Sequence, residues 1–461
     1  MDSTIGLTLW LICFILYFQT KVMESFRKKY WFLVVILIGF LPCYYLYAEN
    51  IITDTNKNVE TGNIKLGQME KSDLTEDWKS FWNKLTDNGI KPGVIYRGEL
   101  FSIISGNNPK KSSYLDNFDI TLDIDLAKLT GWDGASIYFH GIGSHGRDPA
   151  ELEGIRQGVS NIAAPNTWKI FQLFMEQKLL NDKLSILLGM FDLNTHYDVK
   201  IVESLFINPS HGIGTDFSQS GRNGPSVFPS ASLGIRLRAT PLKNNYIQFA
   251  VLDGVPGHPN DPNGTYINLD KSDGLLVCCE LGYVKGNKKC IISCDDDDKH
   301  QPYTKLGIGT WFYTQGLYHV LKNPDNWGFY LLLEQDIYQD ETNPSERLSI
   351  TGRFGIADDR VNQFDNFISG SISFNGIFTD SDRDQLGFAF SYAHNSYLFR
   401  TEREQKGLNT DDFEKIYELT YKYLITANIG IQPDIQYIIS PSKLEYPAKP
   451  LIFGVRLILM F

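Results

Sequence analysis

From about Gly93 to the end of the chain, apolar residues alternate with polar or small ones at period two. Clusters of Gly, Pro, Asn and Asp interrupt the alternation, which reads as some sixteen or seventeen strands and their turns. About 370 residues shared among sixteen strands leave roughly 23 for each strand and its connection, which suits strands of about ten residues joined by alternating short turns and longer loops. In the last segment Phe453, Val455, Leu457, Leu459 and Phe461 fall on one face, and Gly454, Arg456, Ile458 and Met460 on the other. In 417–423, Tyr417, Leu419, Tyr421 and Tyr423 alternate with Glu418, Thr420 and Lys422. In 245–251, Ile247, Phe249 and Val251 alternate with Tyr246, Gln248 and Ala250. One face suits lipid, with Tyr at the interfaces, and the other suits water. The expected fold is all-β, a transmembrane antiparallel β-barrel of about 16 strands occupying 93–461.

The start of the chain follows another rhythm. Ile5 to Phe18 is apolar apart from Thr8 and Gly6, short for a bilayer-spanning helix. Arg27, Lys28 and Lys29 then precede the apolar stretch Trp31 to Leu41, Pro42 and the small Ala48. That order predicts a secretory signal peptide in 1–48, with translation starting at Met23 and an upstream extension before it. A retained membrane anchor and a lipoprotein modified at Cys43 are the alternatives, the second opposed by the bulky Phe40-Leu41-Pro42. Residues 49–92 read as a polar linker followed by a short amphipathic helix, Leu74 to Leu85, with Trp78, Phe81, Trp82 and Leu85 at helical spacing.

Composition alone describes an ordinary acidic soluble protein, with a mean hydropathy of -0.20 and 43% hydrophobic residues. Alternation removes the force of that average, because the two faces of a strand cancel. The net charge of -11 becomes -13 once the basic leader is set aside, and it argues against a nucleic-acid partner. The 24 Tyr and 29 Phe become candidates for interfacial girdles.

Seven stretches in order carry a resemblance: Asp125-Leu-Ala-Lys-Leu-Thr-Gly-Trp132, Gln157-Gly-Val-Ser-Asn-Ile-Ala163, Met175-Glu-Gln177, Leu205-Phe-Ile-Asn-Pro-Ser210, Leu233-Gly-Ile-Arg-Leu237, Gln248-Phe-Ala-Val-Leu-Asp-Gly-Val-Pro-Gly257 and Ile429-Gly-Ile-Gln-Pro-Asp-Ile-Gln-Tyr437. With them the sequence resembles the carbohydrate-selective OprB-type porins of Gram-negative outer membranes. The resemblance implies a sixteen-stranded barrel with an inward-folded loop, passing mono- or oligosaccharides by diffusion, set in outer-membrane lipid, with no enzymatic activity and no cofactor. The terminal Phe461 resembles the carboxy-terminal signal read by the outer-membrane assembly machinery. A general or anion-preferring porin and a soluble exported all-β carbohydrate-binding protein are the other readings.

The sequence departs from that family in a cysteine-rich insertion, where Cys278, Cys279, Cys290 and Cys294 precede Asp295 to Asp298. In an oxidising compartment four clustered cysteines favour two disulfides, with three connectivities open, and predict a stapled extracellular loop. A zinc site is the alternative, and its spacing lacks paired knuckles. Gly141-Ile-Gly-Ser-His-Gly146 matches a dinucleotide-binding pattern, but Asp148-Pro149 stands where the helix would open. His140 and His145 lack a clear third metal ligand, and Ser144 lacks a nucleophile elbow. No catalytic residue and no metal is expected.

Strand parity selects the pore-lining candidates. Arg236 and Arg238 oppose Ile235 and Leu237; Gln432, Asp434 and Gln436 oppose Ile431, Ile435 and Tyr437; Arg456, Gln248 and, on a less regular strand, Glu176 complete the set. Such side chains donate to and accept from sugar hydroxyls, with Arg supplying a rigid fork. The plainer reading of each is a water-facing barrel residue that touches no sugar.

Overall fold

The computed structural model describes residues 82–267, 269–286, 302–314, 326–379, 383–408, 410–441 and 449–461. Sixteen antiparallel strands close into one barrel, each beside its sequence neighbour and β1 beside β16. They are β1 Ile90–Ser105, β2 Ser112–Asp125, β3 Ala135–Gly146, β4 Thr167–Leu179, β5 Leu184–Phe191, β6 Ser232–Ala239, β7 Asn245–Asp253 and β8 Leu275–Lys285. Then come β9 Thr304–Tyr313, β10 Asn326–Gln339, β11 Arg347–Ala357, β12 Phe364–Asn375, β13 Asp384–Asn395, β14 Phe413–Leu424, β15 Ile429–Ile439 and β16 Leu451–Met460. Closure runs from Ile95 opposite Met460 to Ser105 opposite Leu451, and it removes the free edges that an open sheet would expose to lipid.

The barrel begins slightly before Gly93, because Ile90 to Pro92 pair with Leu122 to Ile124 of β2. Pro92 is tolerated there since β16 stops opposite Ile95, leaving no partner for the missing N–H. Upstream, residues 82–87 are helical and Leu85 is buried. The remainder of the expected helix, the linker and the leader lie outside the described residues.

Period two sorts the wall as expected. Ile235, Leu237, Ile247, Phe249, Leu457 and Phe453 are exposed on the outside, while Arg236, Gln248, Arg456 and Glu418 are buried on the inside. An apolar band of this kind has no counterpart on a soluble monomer. Aromatic residues meet on its outer face: the Tyr96 and Phe118 rings lie 4.7 Å apart, and Phe118 lies 5.6 Å from Trp168.

The connections at the two ends differ. At the end shared with the carboxy terminus they are short, as at 180–183, 240–244 and 425–428; at the other end they include 147–166, 192–231, 254–274 and 396–412. Among the described residues four short helices punctuate them: α1 Leu126–Thr130, α2 Ala150–Glu153, α3 Thr215–Ser218 and α4 Tyr397–Gln405.

This polarity corrects the cysteine expectation. Cys278 and Cys279 are not in a loop but in the middle of β8, opposite Ala250 and Phe249 of β7. As neighbours on a strand they face opposite sides, Cys278 buried inside and Cys279 partly exposed outside, and both are free thiols. The described chain leaves β8 at Lys285, at the end of the barrel that carries the short turns. Cys290, Cys294 and the aspartate run lie outside the described residues.

Candidate pore and its inward loops

Two long loops fold into the barrel, and the wall receives them with charged groups on its inner face. The second, 192–231, opens with Asp192 capping a 3-10 turn by accepting from Asn194 N at 2.8 Å. Its backbone then crosses the lumen with no strand beside it, so its N–H groups need other acceptors. Inward carboxylates supply them. Glu280 accepts from Asp198 N at 2.9 Å, Glu334 from Val202 N at 2.7 Å, and Glu418 from Ile207 N at 2.6 Å and Asn208 N at 3.1 Å. Arg353 of β11 completes the attachment, donating to Asp198 at 2.7 Å and Asp216 at 2.6 Å from a wholly buried position. The Asp216 carboxyl is raised above the usual carboxylate range by burial, which the Arg353 charge opposes.

The apolar side of this loop makes a core like that of a soluble protein. Leu193, Tyr197, Ile213 and Phe217 pack on the inward Leu187, Leu252, Trp311 and Tyr330 of the wall, with Phe217 stacked on Trp311 at 5.0 Å. That side of the lumen is therefore filled with packed side chains.

The first loop, 147–166, fills the seam of β14 to β16 and β1. Ile155 and Val159 pack against Ile416, Ile438 and Ile452, and Glu414 accepts from Arg156 N and Gln157 N at 3.0 Å and 2.7 Å. The Arg156 guanidinium lies between the Phe364 and Phe399 rings, 3.9 Å and 3.8 Å from their centroids, and burial lowers its pKa to about 10. The loops also hold each other, through Asn161 N donating to Ile207 O and Asn208 Nδ2 to Gly158 O, both at 2.8 Å.

The predicted pore residues all face inward, and the loops divide them into two groups. Gln432, Asp434, Gln436, Arg456 and Gln248 are at most 5% exposed and bear on the loops. Gln432 donates to Leu205 O at 2.7 Å, Gln436 to Val159 O at 2.9 Å and to Asp434 at 3.0 Å, and Gln248 to His196 O at 2.6 Å. Arg456 joins Glu99 and donates to Asn161 at 2.5 Å. Three of the stretches that carried the resemblance, 157–163, 205–210 and 429–437, thus form one internal seam.

The second group, Arg236, Arg238 and Glu176, lies on β4 and β6; Arg236 is itself only 2% exposed, while Glu176 beside it keeps water-facing surface. Arg236 Nη2 is 2.5 Å from Glu176 Oε1, and Arg236 Nη1 is 2.9 Å from His196 Nδ1. Arg238 stands over the Tyr246 ring at 4.6 Å. Sequence reasoning missed the neighbouring network, in which Arg97 and His140 both bind Asp119, His140 at 2.8 Å, and Gln172 bridges from His140 to Asp192 N. Arg97 on inward parity beside Tyr96 was the available signal. The Arg97 and Glu176 side chains are 28% and 22% exposed, against zero for Arg353. Burial raises the Asp192 pKa to about 7, against the opposing effects of its bond from Asn194 and the charge of His140.

His140 and His145 do not meet: His145 faces outward to Asp116 at 2.9 Å, and a bulge follows His140. Among the described residues no group of three or more metal-ligating side chains is present.

A closed sixteen-stranded barrel, apolar outside and narrowed by inward loops, defines an outer-membrane diffusion channel of the porin class. The family model "Carbohydrate-selective porin, OprB family" matches residues 110–461, and the chain belongs to that family. It is a sugar channel of the bacterial outer membrane, not an enzyme. Porin B of Pseudomonas aeruginosa is 21% identical over 427 residues, covering 84% of this chain and 90% of that protein. The high-pH structure of Pseudomonas putida OprB superposes with a TM-score of 0.72 at 19% identity, covering 84% of this chain and 97% of that one. The low-pH structure of the same protein gives 0.54 at 16% identity, over 84% and 98%.

Proposed function

We propose that sugars cross this channel along the inner wall of β1 to β6, with Arg236 and Glu176 at the narrow point. One observation carries this reading. Arg97 and Glu176 keep solvent-facing surface there, while Glu280, Glu334, Arg353, Glu418 and Asp434 on the far wall are covered by the loops. Paired opposite charges suit a neutral, hydroxyl-rich solute, because they offer donors and acceptors at one level without a strong field of either sign. Binding has to stay weak enough for release.

The other members of the predicted set, Gln432, Asp434, Gln436, Arg456 and Gln248, act on this path through the loops they hold. The outer apolar band takes outer-membrane lipid as its partner. Phe461 is exposed on the outer face, with its N–H donated to Val94 O at 2.9 Å, a position open to the assembly machinery. Planar-bilayer reconstitution with a panel of sugars and salts tests the reading. Concentration-dependent block by neutral sugars with weak ion selectivity supports it. Strong anion selectivity without sugar block establishes the general-porin alternative.

A further inference from the structure

We infer that Tyr138 and Phe174 form a stacking platform for the flat apolar face of a pyranose ring, one level above the Arg236–Glu176 pair. The inference deepens the sugar path proposed above and rests on it. Tyr138 of β3 and Phe174 of β4 are direct cross-strand partners, with ring centroids 5.1 Å apart and planes inclined by 33°. Both are half-buried on the inner face. The same row continues into Gly189 of β5 and Gly234 of β6, which carry no side chain, while the edge of Phe174 packs against the loop core and lies 6.4 Å from the His196 ring, leaving its half-buried face beside Tyr138. A Cβ on Gly189 would lie 2.7 Å from Phe174 Cβ, and its φ of +144° also favours glycine.

The neighbours of the platform complete an amphipathic subsite. Residues two apart on a strand share a face at roughly 7 Å. Glu176 follows Phe174 by two positions and is held by Arg236; His140 follows Tyr138 by two and is held by Asp119. The aromatic row therefore lies between two hydrogen-bonding rows, one toward each mouth. A pyranose laid on the rings presents its axial C–H groups to them and its equatorial hydroxyls to the flanking charged groups. An acyclic polyol has as many hydroxyls but no flat face to stack. The subsite selects cyclic sugars by ring shape, in a channel whose charged groups alone would accept either solute.

The test is current block in planar bilayers by glucose and by sorbitol. Wild type is expected to be half-blocked by glucose at a lower concentration than by sorbitol. In Tyr138→Leu/Phe174→Leu the glucose value rises roughly threefold to tenfold, the scale of an aromatic contact, while the sorbitol value stays. Tyr138→Phe keeps the preference. Equal block of wild type by the two solutes overturns the platform even if the leucine variant fails to assemble, as does an unchanged glucose-to-sorbitol ratio in an assembled variant. Block of wild type by neither solute would instead overturn the sugar path, and the platform with it.

Discussion

Arg236 on β6 reaches across β5 to Glu176 on β4, its Nη2 2.5 Å from Oε1, while its other terminal nitrogen meets His196 of the inward loop. One buried guanidinium thus joins strand to strand and wall to loop beneath the water-facing Glu176. Arg236→Ala leaves Glu176 unpaired there, and the cation-to-anion permeability ratio should rise about fivefold, the effect of about 1 kcal/mol for one charge at close range in water. The reversal potential in a salt gradient measures it; no change would remove the pair from the conduction path.

Arg353 has a different task. It is buried between Asp198 and Asp216, so Arg353→Met strands two carboxylates under the 192–231 loop at a cost of about 3 to 5 kcal/mol. Loosening of that loop should raise open-channel current noise and expose its peptide bonds to limited proteolysis. A quiet, protease-resistant variant would show that the apolar packing of Phe217 on Trp311 suffices.

Acidity should act on the same loop through His211. Burial, assisted by the charge of Lys200, lowers its pKa to about 3, and its ring Nε2 lies 3.7 Å from Glu418 without a hydrogen bond. The unfolded chain takes up a proton near pH 6.5 that the folded one refuses until about pH 3, so stability is full above 6.5 and falls as pH drops through that window. Between pH 6.5 and 4 the loss is on the order of 3 kcal/mol. Asp192, raised to about 7, acts in the opposite direction, its contribution lost as pH rises from the ordinary carboxylate range to neutrality. The two windows overlap and oppose each other, so between pH 4 and 6.5 the melting temperature of His211→Gln should fall with rising pH relative to wild type, and that of Asp192→Asn should rise. Parallel curves for variants and wild type would refute both.

Cys278 and Cys279 should both alkylate in denatured, unreduced protein. In the folded protein in detergent Cys278 should stay unmodified, since it is buried and out of reach of the reagent. Peptide mass mapping decides, and a disulfide-linked peptide containing either residue would contradict the placement in β8.

Deleting Phe461 should lower the yield of heat-modifiable barrel in the outer membrane severalfold. Unchanged assembly would leave the pairing of Phe461 with Val94 as an ordinary strand end.

Much of the barrel was legible because its repeat is local. At period two, Ile235 and Arg236 must face opposite sides whatever lies elsewhere, and the inward parity of Arg236, Gln248, Gln432 and Arg456 followed from their immediate neighbours. Cys278 and Cys279 were misplaced for a related reason: they read as loop when they continue the alternation of β8.

What an inward residue faces is a different matter. Glu418 meets Ile207 N across 211 positions of sequence, and Gln436 meets Val159 across 277. Those encounters exist only after the barrel closes and two loops turn into it, because a backbone crossing the lumen must find acceptors wherever the opposite wall presents them. The sequence by itself determined the wall and its two faces, through the geometry of the strand. Only the tertiary structure decided that Gln432, Asp434 and Gln436 would be sealed beneath loops while Arg97 and Glu176 kept contact with water, since burial inside a barrel depends on what folds into it.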